Sequence, residues 1–252
     1  MIKKKNLLIT GGLGLIGKSL IKILLKDFNL RILDTSPQIK RHKNYVKKFH
    51  KNEIKFISCN ILNENKLNKI FNNIDIVIHL AAMLGVKNTE SHKDLCWRIN
   101  ATATHYIVNA CIKNNIKKLI FSSSSEVYGE QQTTKKISER SPLLGHNIYA
   151  LSKISAENFI QTKLKKSKTK YTILRLFNTY GEGQVAQFFI AKLCYSAINN
   201  KRFIVNGNGS QIRSYGYSGD IAMGIKKCIQ KKNTDGKIYN IGNSNEIFTL
   251  KQ

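Results

Sequence analysis

Asn6–Leu20 reads NLLITGGLGLIGKSL, a short apolar run that turns through glycines spaced three apart, Gly11, Gly14 and Gly17, into a helix-patterned segment. Leu and Ile without polar alternation mark a strand buried on both faces. Glycines at this spacing let the chain turn tightly and let a diphosphate approach the backbone. They also let the next helix pack on the sheet with its N-terminus facing the phosphates. Strand, glycine turn and helix in that order predict the first unit of a dinucleotide-binding fold.

The next apolar run, LRILD, ends in Asp34. A carboxylate there can accept both hydroxyls of an adenosine ribose and would repel a 2′-phosphate, which favours NAD over NADP. Asp34 can equally cap the turn in DTSP. Arg31 and Arg41 are the cations near it in sequence that would suit NADP instead.

The alternation continues along the chain. Strands are expected at Asn6–Thr10, Leu30–Asp34, Lys55–Cys59, Asp75–Ala82, Lys118–Ser123 and Tyr171–Phe177, with helices near Gly14–Lys26, Asn65–Asn72, Lys93–Asn114 and Tyr149–Lys165. Parallel neighbours need crossover connections, so the pattern predicts an α/β fold with a doubly wound, Rossmann-type, mainly parallel sheet. Ligands in such a sheet bind at the carboxyl ends of the strands. The expected division is a dinucleotide-binding domain over 1–178 and a smaller substrate lobe over 179–252, interleaved with the last strands of the sheet.

With 252 residues and 42% hydrophobic content, the chain can bury a sizeable core. No window of eighteen apolar residues occurs, and MIKKKNLLITGG runs straight into a strand, so the reading is a soluble, cytoplasmic protein without membrane partners. Five scattered cysteines with no C-x-x-C pair fit reduced thiols, and neither they nor the six histidines show ligand spacing, so no metal is expected. The formal charge of +27 would suit a nucleic-acid binder. Its lysines are dispersed over the whole chain, however, which fits coding bias in an A+T-rich genome better, and no nucleic-acid partner is expected. A basic surface would still steer anionic nucleotides toward a cleft.

Leu119–Gly129 reads LIFSSSSEVYG, four serines at the end of an expected buried strand, where hydroxyls sit at the carboxyl edge of the sheet. Downstream, YALSKISAE places Tyr149 and Lys153 four apart, on one helix face. A phenol titrates near 10, and bringing it to roughly 7 takes about 4 kcal/mol of differential stabilisation. The Lys153 ammonium, a positive nicotinamide and partial burial are expected to share that load.

Glycine turn, strand-end acid, serine cluster and Y-x-x-x-K in this order resemble the extended short-chain dehydrogenase/reductase family, in its NAD-dependent nucleotide-sugar epimerase/dehydratase branch. The resemblance covers nearly the whole chain: TGGLGLIG, HLAA (His79–Ala82), SSSSEVYG, YALSK, RLFNTYGEGQ (Arg175–Gln184), NGNGSQIRSYGYSGDIA (Asn206–Ala222) and YNIGNSNE (Tyr239–Glu246). It implies bound NAD held by Gly11, Gly14, Leu15, Ile16, Gly17, Asp34, Asn60, Ile61, Leu80, Ala81, Ala82, Ser122, Tyr149 and Lys153. Asn60 stands where the family usually has an Asp beside the adenine. Ser124 falls on the residue that hydrogen-bonds the reacting hydroxyl, Tyr149 on the general base, and Lys153 on the group that holds the nicotinamide ribose. Ser124, Ser125, Asn178 and Arg213 match contacts to a nucleotide-diphosphate sugar, although Arg213 could also be a plain surface cation.

By the same resemblance, a sugar carbon, usually C4, is oxidised to a ketone with Tyr149 as base. Return of the hydride to the opposite face makes an epimerase, the leading expectation. Glu126 beside the reacting sugar could serve as a second base in a 4,6-dehydratase or decarboxylase, or be a solvent-facing turn residue. Ser125 stands where dTDP-glucose-type dehydratases carry an acid. A non-catalytic NAD- or nucleic-acid-binding protein is the alternative of another class, and a net oxidoreductase that releases NADH is a third. Family members continue for dozens of residues beyond YNIG while this sequence stops at Gln252, so either the substrate lobe is trimmed or the chain is incomplete, and intact NAD binding with weakened nucleotide-sugar affinity is expected. A homodimer built on the helices near Lys93–Asn114 and Tyr149–Lys165 is the family-level expectation.

Overall fold

A computed structural model describes residues 4–50, 53–130, 136–205, 208–209, 211–244 and 247–249. Asn206, Gly207, Ser210, Asn245 and Glu246 of the quoted motifs lie outside the described residues. The chain runs β1 (Asn6–Thr10), α1 (Leu15–Leu24), β2 (Asn29–Asp34), α2 (Ser36–Arg41), α3 (Lys43–Val46), β3 (Ile54–Ser58), α4 (Glu64–Ile70) and β4 (Ile76–His79). It continues with α5 (Val86–Ser91), α6 (Lys93–Trp97), α7 (Ala103–Lys113), β5 (Lys118–Ser124), α8 (Ile148–Leu164), β6 (Lys170–Leu176), β7 (Asn178–Tyr180), α9 (Phe189–Ile198), β8 (Ile212–Tyr217), α10 (Ser218–Gln230), β9 (Lys237–Ile241) and β10 (Ile247–Thr249).

Seven strands form one sheet in the order β3-β2-β1-β4-β5-β6-β9, and every adjacent pair is parallel. This is the doubly wound arrangement expected from the alternation, extended by β9 from the YNIG segment. The remaining strands make a small sheet, β10-β8-β7, in which β7 and β8 run parallel and β10 antiparallel.

Both faces of the main sheet are covered, as the apolar strands require. Within β1, Leu8 points into a cluster with Phe71, Ile107, Phe121 and Ile160, beneath α4, α7 and α8. Its neighbours Leu7 and Ile9 point the other way, into a cluster with Leu20, Leu24, Ile78 and Ile225 beneath α1 and α10. The alternation is the two-residue period of a strand. Side-chain caps start two of the helices: Asn63 Oδ1 accepts from Lys66 N at 3.0 Å and Asn147 Oδ1 from Ala150 N at 2.8 Å. The second cap fixes the first turn of α8, where Tyr149 sits.

Two expectations change in detail. The strand read over Asp75–Ala82 ends at His79, because its partner β1 ends at Thr10 where the chain turns at Gly11, leaving Leu80–Ala82 without a ladder. The helix read over Lys93–Asn114 is interrupted by a π turn at Arg98–Thr102, between α6 and α7. Replacing Leu8 by Ala removes a fully buried side chain from the central strand and is expected to cost about 2–5 kcal/mol in urea unfolding, with an unchanged m-value.

Candidate active site

The order of the sheet reverses between β1 and β4, which opens a crevice at their carboxyl ends. Gly11 makes the turn out of β1 with φ +68°, and a Cβ there would stand 2.7 Å from Ala81 N, so only glycine lets the turn lie against the end of β4. A Cβ on Gly17 would overlap the Gly12 backbone, so this glycine allows α1 to pack tightly. Gly14 caps α1 without a side chain, and a Cβ there would meet only Gly11 O at 3.2 Å. The first-turn N–H groups of Leu15, Ile16 and Gly17 therefore face an approach that no side chain fills, which fits a dinucleotide diphosphate.

Asp34, at the end of β2, meets the same turn. Its Oδ2 accepts from Leu13 N at 3.0 Å and its Oδ1 from Thr35 N at 2.9 Å, so it does cap, and the cap fastens the glycine turn to β2. Burial pushes its carboxyl above the ordinary value, against the pull of the two N–H groups. Arg31 is turned away, donating to Ile70 O and Asn72 O at the end of α4, which removes it as a 2′-phosphate ligand. Arg41 is exposed. Asn60, exposed beyond β3, accepts from Leu62 N through Oδ1 at 3.0 Å, whereas the Ile61 side chain is buried in the core. Leu80, Ala81 and Ala82 line the crevice half-buried, and Ala81 N donates to Thr10 Oγ1 at 3.4 Å.

Beside this crevice, β5 delivers its serines one by one. Ser122 Oγ donates to His79 O at 3.0 Å, and Ser122 O accepts from Lys153 Nζ at 2.8 Å. Ser123 Oγ donates to Glu157 Oε1. Ser124 Oγ accepts from Glu126 N at 3.2 Å, which starts the 3-10 turn Ser125–Tyr128, and the Ser124 hydroxyl is turned toward Tyr149. Ser125 is half-buried and Glu126 exposed.

From α8, Tyr149 and Lys153 come to the same place. Lys153, 2% exposed, holds its Nζ 4.8 Å from the Phe121 ring centre and 6.0 Å from that of Tyr149. Burial lowers its pKa to about 8, opposed by the Glu157 carboxylate and Cys96. The expectation that partial burial helps form the Tyr149 phenolate is overturned. Burial disfavours the charged form and pushes this phenol well above its ordinary value; the Ser124 hydroxyl pulls it down, while the Glu126 carboxylate and Cys96 push it up.

Asn178 and Arg213 lie in the small sheet, Asn178 two residues beyond Leu176, which pairs with Ser124. Asn178 opens β7 opposite Tyr215 of β8, and Arg213 follows two residues earlier on β8; both are exposed.

Beneath the site runs a buried polar network that the sequence reading did not assign. Glu157, fully buried, takes a forked pair from Arg175, Nη2 to Oε2 at 2.7 Å and Nε to Oε1 at 3.1 Å. Arg175 Nη1 donates to Tyr128 Oη at 3.0 Å, which donates to Asn240 Oδ1 at 2.6 Å. The signal was present: an arginine inside YTILRLF, a strand buried on both faces, needs a carboxylate partner. Glu157, on the Tyr149–Lys153 face of α8, supplies it.

Two further residues were missed. Asn100, in the π turn, accepts from Met83 N at 2.8 Å and donates to Met83 O at 3.2 Å, pinning the chain just after Ala82. His79 bridges Thr10 and Thr104. Thr104 Oγ1 donates to Asn100 O at 2.6 Å, so it accepts from His79 Nε2, 3.1 Å away; Nδ1 then accepts from Thr10 Oγ1 at 2.7 Å. Burial and the Lys153 charge lower the His79 pKa to about 3.

A doubly wound sheet with a glycine turn, a strand-end serine and a Tyr–Lys helix defines a dinucleotide-binding fold with a phenol beside the crevice. The profile of the NAD-dependent epimerase/dehydratase family matches residues 7–242, and the chain belongs to that family. It is 33% identical to the dTDP-D-glucose 4,6-dehydratase of Dictyostelium discoideum over 98% of this chain, and it spans 60% of that relative's length. Its fold superposes with a TM-score of 0.89 on a UDP-N-acetylglucosamine 4-epimerase from Methanobrevibacter ruminantium solved with UDP-N-acetylmuramic acid, at 29% identity, covering 99% of this chain and 80% of that one. It superposes with a TM-score of 0.87 on a UDP-glucuronic acid 4-epimerase from Bacillus cereus solved with UDP-glucuronic acid and NAD, at 29% identity, covering 97% and 79%. No helix among the described residues is long and apolar enough to cross a membrane.

His79 is expected to stay neutral, with its proton on Nε2, from pH 5 to 8 in long-range 1H–15N NMR spectra. The unfolded chain takes up this proton near 6.5 and the folded chain only near 3, so stability falls as pH drops through that window. Protonation of His79 between pH 5 and 8 would contradict the assignment.

Proposed function

We propose that this chain is an NAD-dependent nucleotide-sugar epimerase that passes through a transient ketone at C4 of the sugar, the carbon that the family resemblance implies. The observation that carries the reading is the meeting of Ser124 from β5 with Tyr149 and Lys153 from α8 beside the glycine turn. In it, Gly11, Gly14, Leu15, Ile16 and Gly17 receive the diphosphate and Asp34 the adenosine ribose. Asn60 and the backbone of Ile61 flank the adenine, with Leu80, Ala81, Ala82 and Ser122 along the crevice.

Bound NAD supplies a reversible hydride acceptor. Tyr149 takes the proton of the C4 hydroxyl as that carbon loses its hydride, and the Ser124 hydroxyl beside it steadies the developing carbonyl oxygen. Lys153 brings a positive charge beside the phenol. With Tyr149 raised by burial in the chain alone, the Ser124 hydrogen bond, the Lys153 ammonium and the charge of the bound cofactor would share the load of forming a phenolate. The 179–252 lobe, with Asn178 and Arg213 exposed on its small sheet, receives the nucleotide diphosphate.

A 4,6-dehydratase or decarboxylase is the second reading. It is supported by the nearness of the Glu126 carboxylate to Tyr149, which opposes ionisation of the phenol, and by the dehydratase relative. Elimination of water from C6 calls for a proton donor as well as a base, and Ser125 offers no carboxyl group; this favours the epimerase. Leu95, Trp97, Ile112 and Leu151, each about 40% exposed on α6, α7 and α8, support a homodimer through these helices. Five free cysteines suit a cytoplasmic setting.

Incubation with a panel of nucleotide sugars, read by chromatography and mass spectrometry, tests the reading. An epimerase gives a product of unchanged mass and altered retention, a dehydratase loses water and a decarboxylase loses carbon dioxide. Tyr149→Phe is expected to lower turnover about 10²- to 10⁴-fold with NAD affinity retained in calorimetry. For Glu126→Gln the expected result is an epimerase rate within about threefold of wild type; a loss as large as that of Tyr149→Phe would favour the second-base reading.

A further inference from the structure

Glu157 has no part in the reaction just described, yet it is 0% exposed and joins the two elements that carry the reacting groups. It lies one helical turn beyond Lys153 on α8, on the same face. One of its oxygens accepts from Ser123 Oγ. Ser123 sits between Ser122, whose carbonyl accepts from Lys153 Nζ at 2.8 Å, and Ser124, whose hydroxyl faces Tyr149. Arg175 of β6, 3% exposed, forks onto both oxygens of the same carboxylate.

We propose that Glu157 is a positioning residue: its carboxylate, held by Arg175, locks the end of β5 to α8 and thereby sets Ser124, Tyr149 and Lys153 relative to one another. The inference rests on the reading of those three residues as the reacting group. An ion pair that served stability alone would not need Ser123, and a hydroxyl donor from the strand that bears Ser124 gives the carboxylate its second duty. Its charge also acts on Lys153. The groups that face the Lys153 ammonium are Glu157 and Tyr149 on α8, Cys96 on α6 and His79 on β4; burial lowers the ammonium, and Glu157 is the largest influence holding it up.

Glu157→Gln keeps the size and hydrogen-bonding reach of the side chain and removes its charge, whereas Ser123→Ala removes only the strand-to-helix bond. Three quantities are read for each: kcat and KM across pH, NAD affinity by calorimetry, and the titration of the Lys153 Cε signal by NMR in the chain without substrate or cofactor. Glu157→Gln is expected to lower kcat about 10- to 100-fold with KM and NAD affinity within about twofold, and to move both the alkaline limb of kcat and the Lys153 midpoint to lower pH. Ser123→Ala is expected to lower kcat about three- to tenfold while leaving the Lys153 midpoint in place. Should Glu157→Gln fail to fold because Arg175 is left unpaired, the double variant Glu157→Gln/Arg175→Met removes both charges and is expected to show the same lowered midpoint.

Folded variants with wild-type kcat and an unmoved Lys153 midpoint would overturn the proposal. If the wild-type chain turns over no nucleotide sugar, the reading of function fails separately, and the Lys153 titration still decides: a midpoint lowered in Glu157→Gln supports the clamp, and an unmoved one sinks it.

Discussion

Parallel pairing of β1 with β2 on one side and β4 on the other is the constraint from which the rest of the structure follows. The chain leaves β1 toward β2 and β3, then crosses back to lay β4 on the opposite flank. The connections therefore part at the carboxyl ends of β1 and β4 and leave a crevice between them. Gly11 is the residue on which that geometry turns, because the backbone of Ala81 lies where any larger residue would place its Cβ. Once the crevice exists, the next strand out, β5, ends beside it, and the helix that follows β5 lies over that end.

The site is polar chemistry placed on an apolar scaffold, and each polar group is met by a partner. Ser122, Ser123 and Ser124 belong to a strand whose seven residues are all buried, yet each hydroxyl has a distinct bond: to β4, to α8, and to the turn that follows. The buried charge pair of Arg175 and Glu157 would be costly if either were alone, and its chain of contacts through Tyr128 and Asn240 reaches β9. This network explains why SSSSEVYG, YALSKISAE, RLFNTYGEGQ and YNIG occur in one chain: their polar members meet in space.

Much of this was legible in the residues. Runs such as NLLIT and KLIF carry no alternation, and the structure buries both their faces; the four expected helices fall on α1, α4, α6 with α7, and α8, whereas α2, α3, α5, α9 and α10 lie outside the expected helices. The glycine turn could be read because few other functions need glycine at Gly11, Gly14 and Gly17 between a strand and a helix. What escaped depends on contacts distant in sequence. The π turn at Arg98–Thr102 leaves a helical pattern intact, and its purpose, to aim Asn100 at the Met83 backbone, shows only when both segments are in place. The end of β4 is set by where β1 stops. Arg175 and Glu157 were each visible as a charge in an apolar context, but pairing them required knowing that α8 covers β5 and β6. Burial opposes the Tyr149 phenolate at any depth, because taking a phenol out of water disfavours its charged form; the helix pattern left open only how deeply the ring lies.

Membership of the epimerase/dehydratase family leaves the fate of the proposed ketone as the central question: the Glu126 carboxylate beside Tyr149 speaks for a second base, and Ser125, with no carboxyl group to donate a proton, for simple return of the hydride. The most direct measurement follows a nucleotide sugar carrying deuterium at C4 through turnover in ordinary water. An epimerase product of unchanged mass that keeps its deuterium at C4 is the predicted result. Deuterium found at C6 with loss of water, or lost to solvent, would contradict it.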